Sequence, residues 1–182
     1  GIMMGSLFSA LVSLVKFTAD TESQLPAITY WLMGSLSAAS FAALRLGAPA
    51  ILLSCIVLLL LRWKLNLLPL SDEEARTFGT HMKCLRGLCI VCCAAMTASC
   101  VAMCGQVGWV GLLVPHVCRM IFGSSHARLL PACISCGAVF MMVVDTLART
   151  ISAAEIPVSI LTAIIGAPIF ITIVRKKGGW SL

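Results

Sequence analysis

Apolar runs alternate along this chain with short polar or glycine- and proline-bearing breaks, and most charges fall in the breaks. Six runs have the length and uniformity of buried or lipid-facing helices: Gly1–Val15, Leu46–Leu61, Gly87–Cys104, Val107–Phe122, Leu129–Thr150 and Ile156–Val174. The second extends back to Phe41 past Arg45, and the fourth is short, with Pro115 inside it and Arg119 near its end. The fifth carries no charge from Leu129 to Val144; Asp145, Arg149 and Glu155 then follow within one short segment. That is the pattern of a helix leaving hydrocarbon. Lys16–Pro26 reads as a loop, and Ala27–Ala39, with Tyr30 and Trp31, as a short helix lying at a membrane interface. Leu65–Arg86 is the longest polar stretch. Ser71 followed by Glu74 fits a capping box, which predicts a short helix that Gly79 would stop. The pattern as a whole predicts an all-α integral membrane fold with about six membrane segments, one of them short.

Composition narrows the class further. Of 182 residues, 60% are hydrophobic and only 11% charged, where a soluble domain carries roughly a quarter charged residues. Mean hydropathy is +1.04. A net charge of +6 invites a nucleic-acid reading, but the basic residues sit at the ends of apolar runs, as in cytoplasmic loops of membrane proteins. If each run crosses once, Arg62, Lys64, Arg76, Lys83, Arg86, Arg119, Arg128, Arg175, Lys176 and Lys177 share one side, leaving Lys16, Arg45 and Arg149 opposite. The positive-inside rule then makes the polar loop and the C-terminus cytoplasmic. Since the chain opens on Gly inside an apolar run, the expectation is a single transmembrane domain, 1–182, truncated at its N-terminus.

Candidate metal chemistry is thin. Among ten cysteines, Cys89, Cys93, Cys100 and Cys104 recur at helical spacing on one face. Such a stripe serves close helix packing. The rival reading is a soft-metal ladder, which would suit a metal-handling channel or exporter. Cys89 and Cys92 form a CxxC, but mid-membrane it lacks an access route for redox partners. His116 beside Cys118 makes no complete metal site and is expected to pack or to hydrogen-bond locally. No GxxxxGK[ST] phosphate loop is present, so any ATP must be handled by another polypeptide.

Several blocks resemble a known family. VGWVGLLVPHVCRMIFG (107–123), HARLLP (126–131), VDTLART (144–150) and EIPVSILTAIIGAP (155–168) look like the C-terminal signature of permease subunits of ATP-driven importers for iron-siderophores, haem and vitamin B12. TYWLMGSLS (29–37) and LNLLPLSDEEARTFG (65–79) are similar to the same family, so the resemblance covers essentially the whole chain.

The resemblance implies a bundle of the type II ABC importer permease kind, of which this chain would hold the C-terminal part. It implies a bacterial inner-membrane protein that is not itself an enzyme, binds no cofactor, and works as a homodimer with an ATPase subunit below and a substrate-binding protein above. Spacing alone favours a capped helix in an ordinary solvated loop for Leu70, Ser71, Asp72, Glu73, Glu74, Ala75, Arg76, Thr77, Phe78 and Gly79; the resemblance reverses that reading, because they lie where the family docks its ATPase. The family's DxxAR arginine meets a glutamate of the binding protein, and Arg149 holds that position. Asp145, one turn earlier on the same face, offers Arg149 an intramolecular partner as well. The resemblance makes Asp145, Glu155 and Pro157 outer-mouth candidates, and Pro157 marks a helix break that either gates or simply turns the chain. A truncated permease without function is the remaining alternative.

Overall fold

The computed structural model describes residues 1–36, 39–70, 74, 77, 79, 81–151 and 156–177. Seven α-helices and one 3-10 turn organise the described residues, and no strand occurs among them: α1 Ile2–Thr18, α2 Gln24–Leu32, α3 Phe41–Leu60, a 3-10 turn Lys64–Leu67, α4 Met82–Cys104, α5 Val110–Phe122, α6 His126–Ile151 and α7 Val158–Lys177. Three of them, α3, α4 and α6, are long and apolar enough to cross a membrane; α1, α5 and the Val158–Ile173 part of α7 are shorter apolar helices. At 1.5 Å per residue α6 rises about 39 Å, whereas the 13 residues of α5 rise only about 20 Å, short of a hydrocarbon layer of roughly 30 Å.

The all-α expectation holds, with boundaries that differ for physical reasons. The expected Gly87 start of α4 moves back to Met82, because Met82 and Leu85 are buried and draw one more turn, Lys83 and Arg86 included, into the helix. The expected Val107 start of α5 moves forward to Val110. Trp109 takes a left-handed backbone (φ 66°), and its Cβ lies 3.0 Å from where a Cβ on Gly166 of α7 would stand, so the chain cannot begin its helix until it has passed that contact. The interfacial helix expected over Ala27–Ala39 is α2, which begins at Gln24 and ends at Leu32. α3 begins where Ser40 accepts a hydrogen bond from the Ala43 amide, 3.2 Å away.

In lipid, apolar contact gives little net drive for helices to associate, so packing shape and paired polar groups decide the arrangement. α3 packs along α4, α5 along α6, and α7 against both α5 and α6, while α3 also touches α6. One cluster joins Val114 and Cys118 of α5 to Leu129 of α6, with Cys133, Cys136 and Phe140 around it. A second joins Val144 and Ala148 of α6 to Val158 and Leu161 of α7, again with Phe140 at its edge. A third, at the other end of α6, gathers Leu65, Met82 and Leu85, with Leu68 and Leu130 against them.

Where α2 ends, three elements meet through their backbones. The Ser35 amide donates to the Cys104 carbonyl (2.9 Å), the Val158 amide donates to the Gly34 carbonyl (3.0 Å), and the Ser159 hydroxyl bonds the Met33 carbonyl. Gly34 and Gly105 both have left-handed backbones (φ 69° and 70°), and a Cβ on Gly105 would lie 3.1 Å from the Gly34 Cα. No side chain fits at either position.

We predict that Gly105→Ala lowers the thermal unfolding midpoint of the detergent-purified protein, reflecting about 1–3 kcal/mol of strain. Gly87→Ala, whose added Cβ meets nothing within 4 Å, should leave the midpoint near wild type. Equal midpoints for the two variants would show that the backbone junction carries no weight.

Candidate functional site

The two candidate docking surfaces stand at opposite ends of the bundle, and α6 runs between them. At one end the last turns of α6 carry Asp145 and Arg149. The Arg149 Nε donates to Asp145 Oδ2 at 2.9 Å, so the pair that the i,i+4 spacing allowed is formed. Such an exposed pair contributes only about 0.3–0.5 kcal/mol to a helix in water. With its side chain 46% exposed, Arg149 remains accessible to a partner molecule. Below it Val144 and Ala148 face Val158 and Leu161, which fixes the pitch of the helix under the pair.

Pro157 stands just before α7, where its carbonyl accepts from the Ile160 amide (3.1 Å) and the neighbouring Ile156 amide donates to the Ala148 carbonyl (3.3 Å). Ile156 is thereby tied back to α6, and Val158 to Gly34. Glu155 lies outside the described residues.

At the other end the polar loop leaves the 3-10 turn and returns at Met82. Leu70 is described and half-buried, its amide bonding the Leu67 carbonyl at 3.0 Å. Glu74 and Thr77 are helical, with the Thr77 hydroxyl donating to the Glu74 carbonyl at 2.6 Å, and Gly79 has the left-handed φ of 68° that suits a helix stop. Ser71, Asp72, Glu73, Ala75, Arg76 and Phe78 lie outside the described residues, so the capping box has no geometry to report. The base of the loop is firm: Leu65 on the outgoing limb packs with Met82 and Leu85 on the returning limb.

Sequence reasoning overlooked the bond that fastens this base to α6. The Asn66 Oδ1 accepts from the backbone amide of His126 (2.8 Å) and lies 2.9 Å from the same residue's Nδ1. A backbone N–H only donates, so the Asn66 atom is its oxygen and Nδ1 must carry a proton. Asn66 therefore caps the N-terminus of α6 from sixty positions away in sequence, a task worth about 1 kcal/mol when a local residue performs it. No local spacing rule could have found it; only the presence of Asn66 and His126 inside two of the family-like blocks hinted that they matter.

His116 packs as expected, its ring edge-on to Phe170 (5.7 Å, 61°) beside the Trp109–Phe170 pair (6.4 Å). Of the two expected roles, packing is the one it takes: Nε2 is buried and has no partner among the described residues. The cysteine stripe does not form one packed face. Cys92, off the stripe, is the buried cysteine of α4, while Cys93 and Cys100 are exposed and Cys89 and Cys104 intermediate. No group of three or more His, Cys, Asp or Glu side chains is placed to hold a metal among the described residues.

An apolar helical bundle with a basic-fringed loop at one end and an arginine–aspartate pair at the other defines a polytopic helical membrane protein. The chain belongs to the FecCD transport family, which matches residues 1–176. It is 46% identical over 181 residues to the molybdate import system permease protein MolB of Haemophilus influenzae, covering 98% of this chain and 54% of that protein. It is 37% identical to the hemin transport system permease protein HmuU of Yersinia pestis (97% of this chain, 53% of that one). Identity to the cobalamin import system permease protein BtuC of Halobacterium salinarum is 34% (97% and 47%). Among solved structures, an inward-facing metal-chelate type ABC transporter superposes with a TM-score of 0.93 at 46% identity, over 96% of this chain and 57% of that one. The chain thus spans about half the length of the curated relatives it matches.

His116→Leu should leave stability unchanged or raise it, since a buried ring nitrogen without a partner costs about 1–3 kcal/mol. A clear fall in the unfolding midpoint would reveal a partner for Nε2 outside the described residues.

Proposed function

We propose that this chain forms part of the permease subunit of an ATP-driven importer that carries a metal-bearing solute across the bacterial inner membrane without altering it. The membership in the FecCD family over residues 1–176, together with the TM-score of 0.93 to a metal-chelate type ABC transporter, carries this reading. In it the 68–82 loop faces the cytoplasm and receives the ATPase subunit on Leu70–Gly79. ATP is bound and hydrolysed there, in the partner. Arg149 faces the other side and meets an acidic group of the binding protein. Two permease copies enclose the path.

The basic residues support this orientation, because the loop and C-terminal side holds most of them. Exposure also supports the role of Arg149: its side chain is 46% exposed while its Nε donates to Asp145, so the guanidinium can be reached by a carboxylate of a partner. Iron chelates, haem or a corrinoid are the solutes the family resemblance suggests. The 46% identity to a molybdate permease, against 37% and 34% to the haemin and cobalamin permeases, favours a second reading, a small metal oxyanion. Titrating the cognate binding protein with molybdate and with ferric chelates separates the two.

Arg149→Glu should weaken binding of the substrate-binding protein to the reconstituted transporter at least tenfold, the effect of turning one charge-assisted contact into a repulsion. Unchanged affinity removes Arg149 from that surface. Replacing Glu73, Glu74 and Arg76 together with alanine should abolish the link between ATP hydrolysis and uptake. Normal uptake in that variant would count against the docking role. A single cysteine at Lys176 should react with impermeant reagents only from the cytoplasmic side; labelling only from outside would invert the orientation.

A further inference from the structure

Both proposed docking surfaces lie on or beside α6, and only one of them is attached to it through the chain. Arg149 is part of α6 itself. The 68–82 loop belongs to the α3–α4 hairpin, and what joins its base to α6 is the double contact of Asn66 Oδ1 with the His126 amide (2.8 Å) and ring Nδ1 (2.9 Å), backed by Leu130 against the Leu65 cluster. The Asn66 contact ties the limb that feeds the loop to the first turn of a helix that is continuous to Ile151.

We propose that Asn66 is a positioning residue for coupling: it fastens the ATPase-facing loop to the helix that presents Arg149, so that displacement of the loop is delivered to α6 rather than absorbed by the hairpin. This rests on the importer reading above. The chemistry suits a fastening. One oxygen accepts two donors on the same residue, one from the backbone and one from the ring, so Asn66 fixes both the start of α6 and the orientation of the His126 side chain. Nδ1 carries its proton in both the neutral tautomer selected here and the imidazolium, so the contact survives protonation of the ring. An aspartate at position 66 keeps an acceptor aimed at a helix N-terminus, where negative charge is favourable; alanine removes the acceptor.

The test uses the complete permease with its ATPase subunit in nanodiscs, and the substrate-binding protein without added solute as the probe. ATP hydrolysis is measured with and without the probe, and amide exchange at His126 is followed in the same samples. Asn66→Ala is expected to keep basal hydrolysis, to lose stimulation by the probe by roughly fivefold, the lower range of a typical coupling between sites, and to speed exchange at His126. Asn66→Asp is expected to restore both. A purely structural role would lower basal and stimulated rates alike and would show no selective rescue. Stimulation at the wild-type level in Asn66→Ala, equal loss in the alanine and aspartate variants, or unchanged exchange at His126 each overturns the proposal. His126→Phe, which keeps the amide contact and deletes the ring contact, guards against misfolding of the alanine variant: stimulation should fall part-way, and full retention counts against the fastening. A wild-type complex that ignores the probe, with Arg149→Glu no different, would instead sink the importer reading, and exchange at His126 would still decide whether Asn66 holds α6.

Discussion

A backbone amide or carbonyl in hydrocarbon must find its partner within the protein, because no water is there to supply one. Regular helix satisfies this automatically, so the constraint bears hardest where helices stop. In this chain three of the stops that matter are closed by another element. The α2 terminus gives its Ser35 amide to the Cys104 carbonyl at the end of α4. The start of α7 gives its Val158 amide to the Gly34 carbonyl. The start of α6 gives its His126 amide to Asn66. Satisfying the constraint and assembling the fold are thus the same act, and the bonds that complete one helix are the ones that hold its neighbour.

That division also explains what was legible in the sequence. The apolar runs reported α3, α4, α6 and α7 to within a few residues, because solvent class alone dictates helix over such lengths. The i,i+4 relation of Asp145 and Arg149 gave their pairing, which α6 realises at 2.9 Å. Features that depend on a distant element were not legible. The late start of α5 follows from Trp109 meeting Gly166, and the early end of α2 from Gly34 meeting Gly105. Asn66 looked like one polar residue in a polar stretch, though its oxygen caps a helix far along the chain. The cysteine stripe misled in the opposite sense: helical spacing put four sulfurs on one face, but the buried cysteine of α4 is Cys92, which lies off that stripe.

The docking residues themselves divide in the same way. Arg149 is presented by a long helix packed on two neighbours, so its place is set by the bundle. Leu70, Glu74, Thr77 and Gly79 follow a base clamped by Leu65, Met82 and Leu85, so the loop is anchored at its root. A partner pressing on that loop would meet resistance first at this clamp.

Phe140 belongs to the surroundings of both the Val114–Cys118–Leu129 cluster and the Val144–Ala148–Val158–Leu161 cluster. One ring serving two interiors means that neither can be redesigned alone. A larger residue at Val114 and a smaller one at Leu161 change two clusters that share this aromatic side chain, so their energies will not simply add. Sequence drift in this family should therefore show correlated volume exchange between α5 and α7, mediated by a residue that belongs to neither.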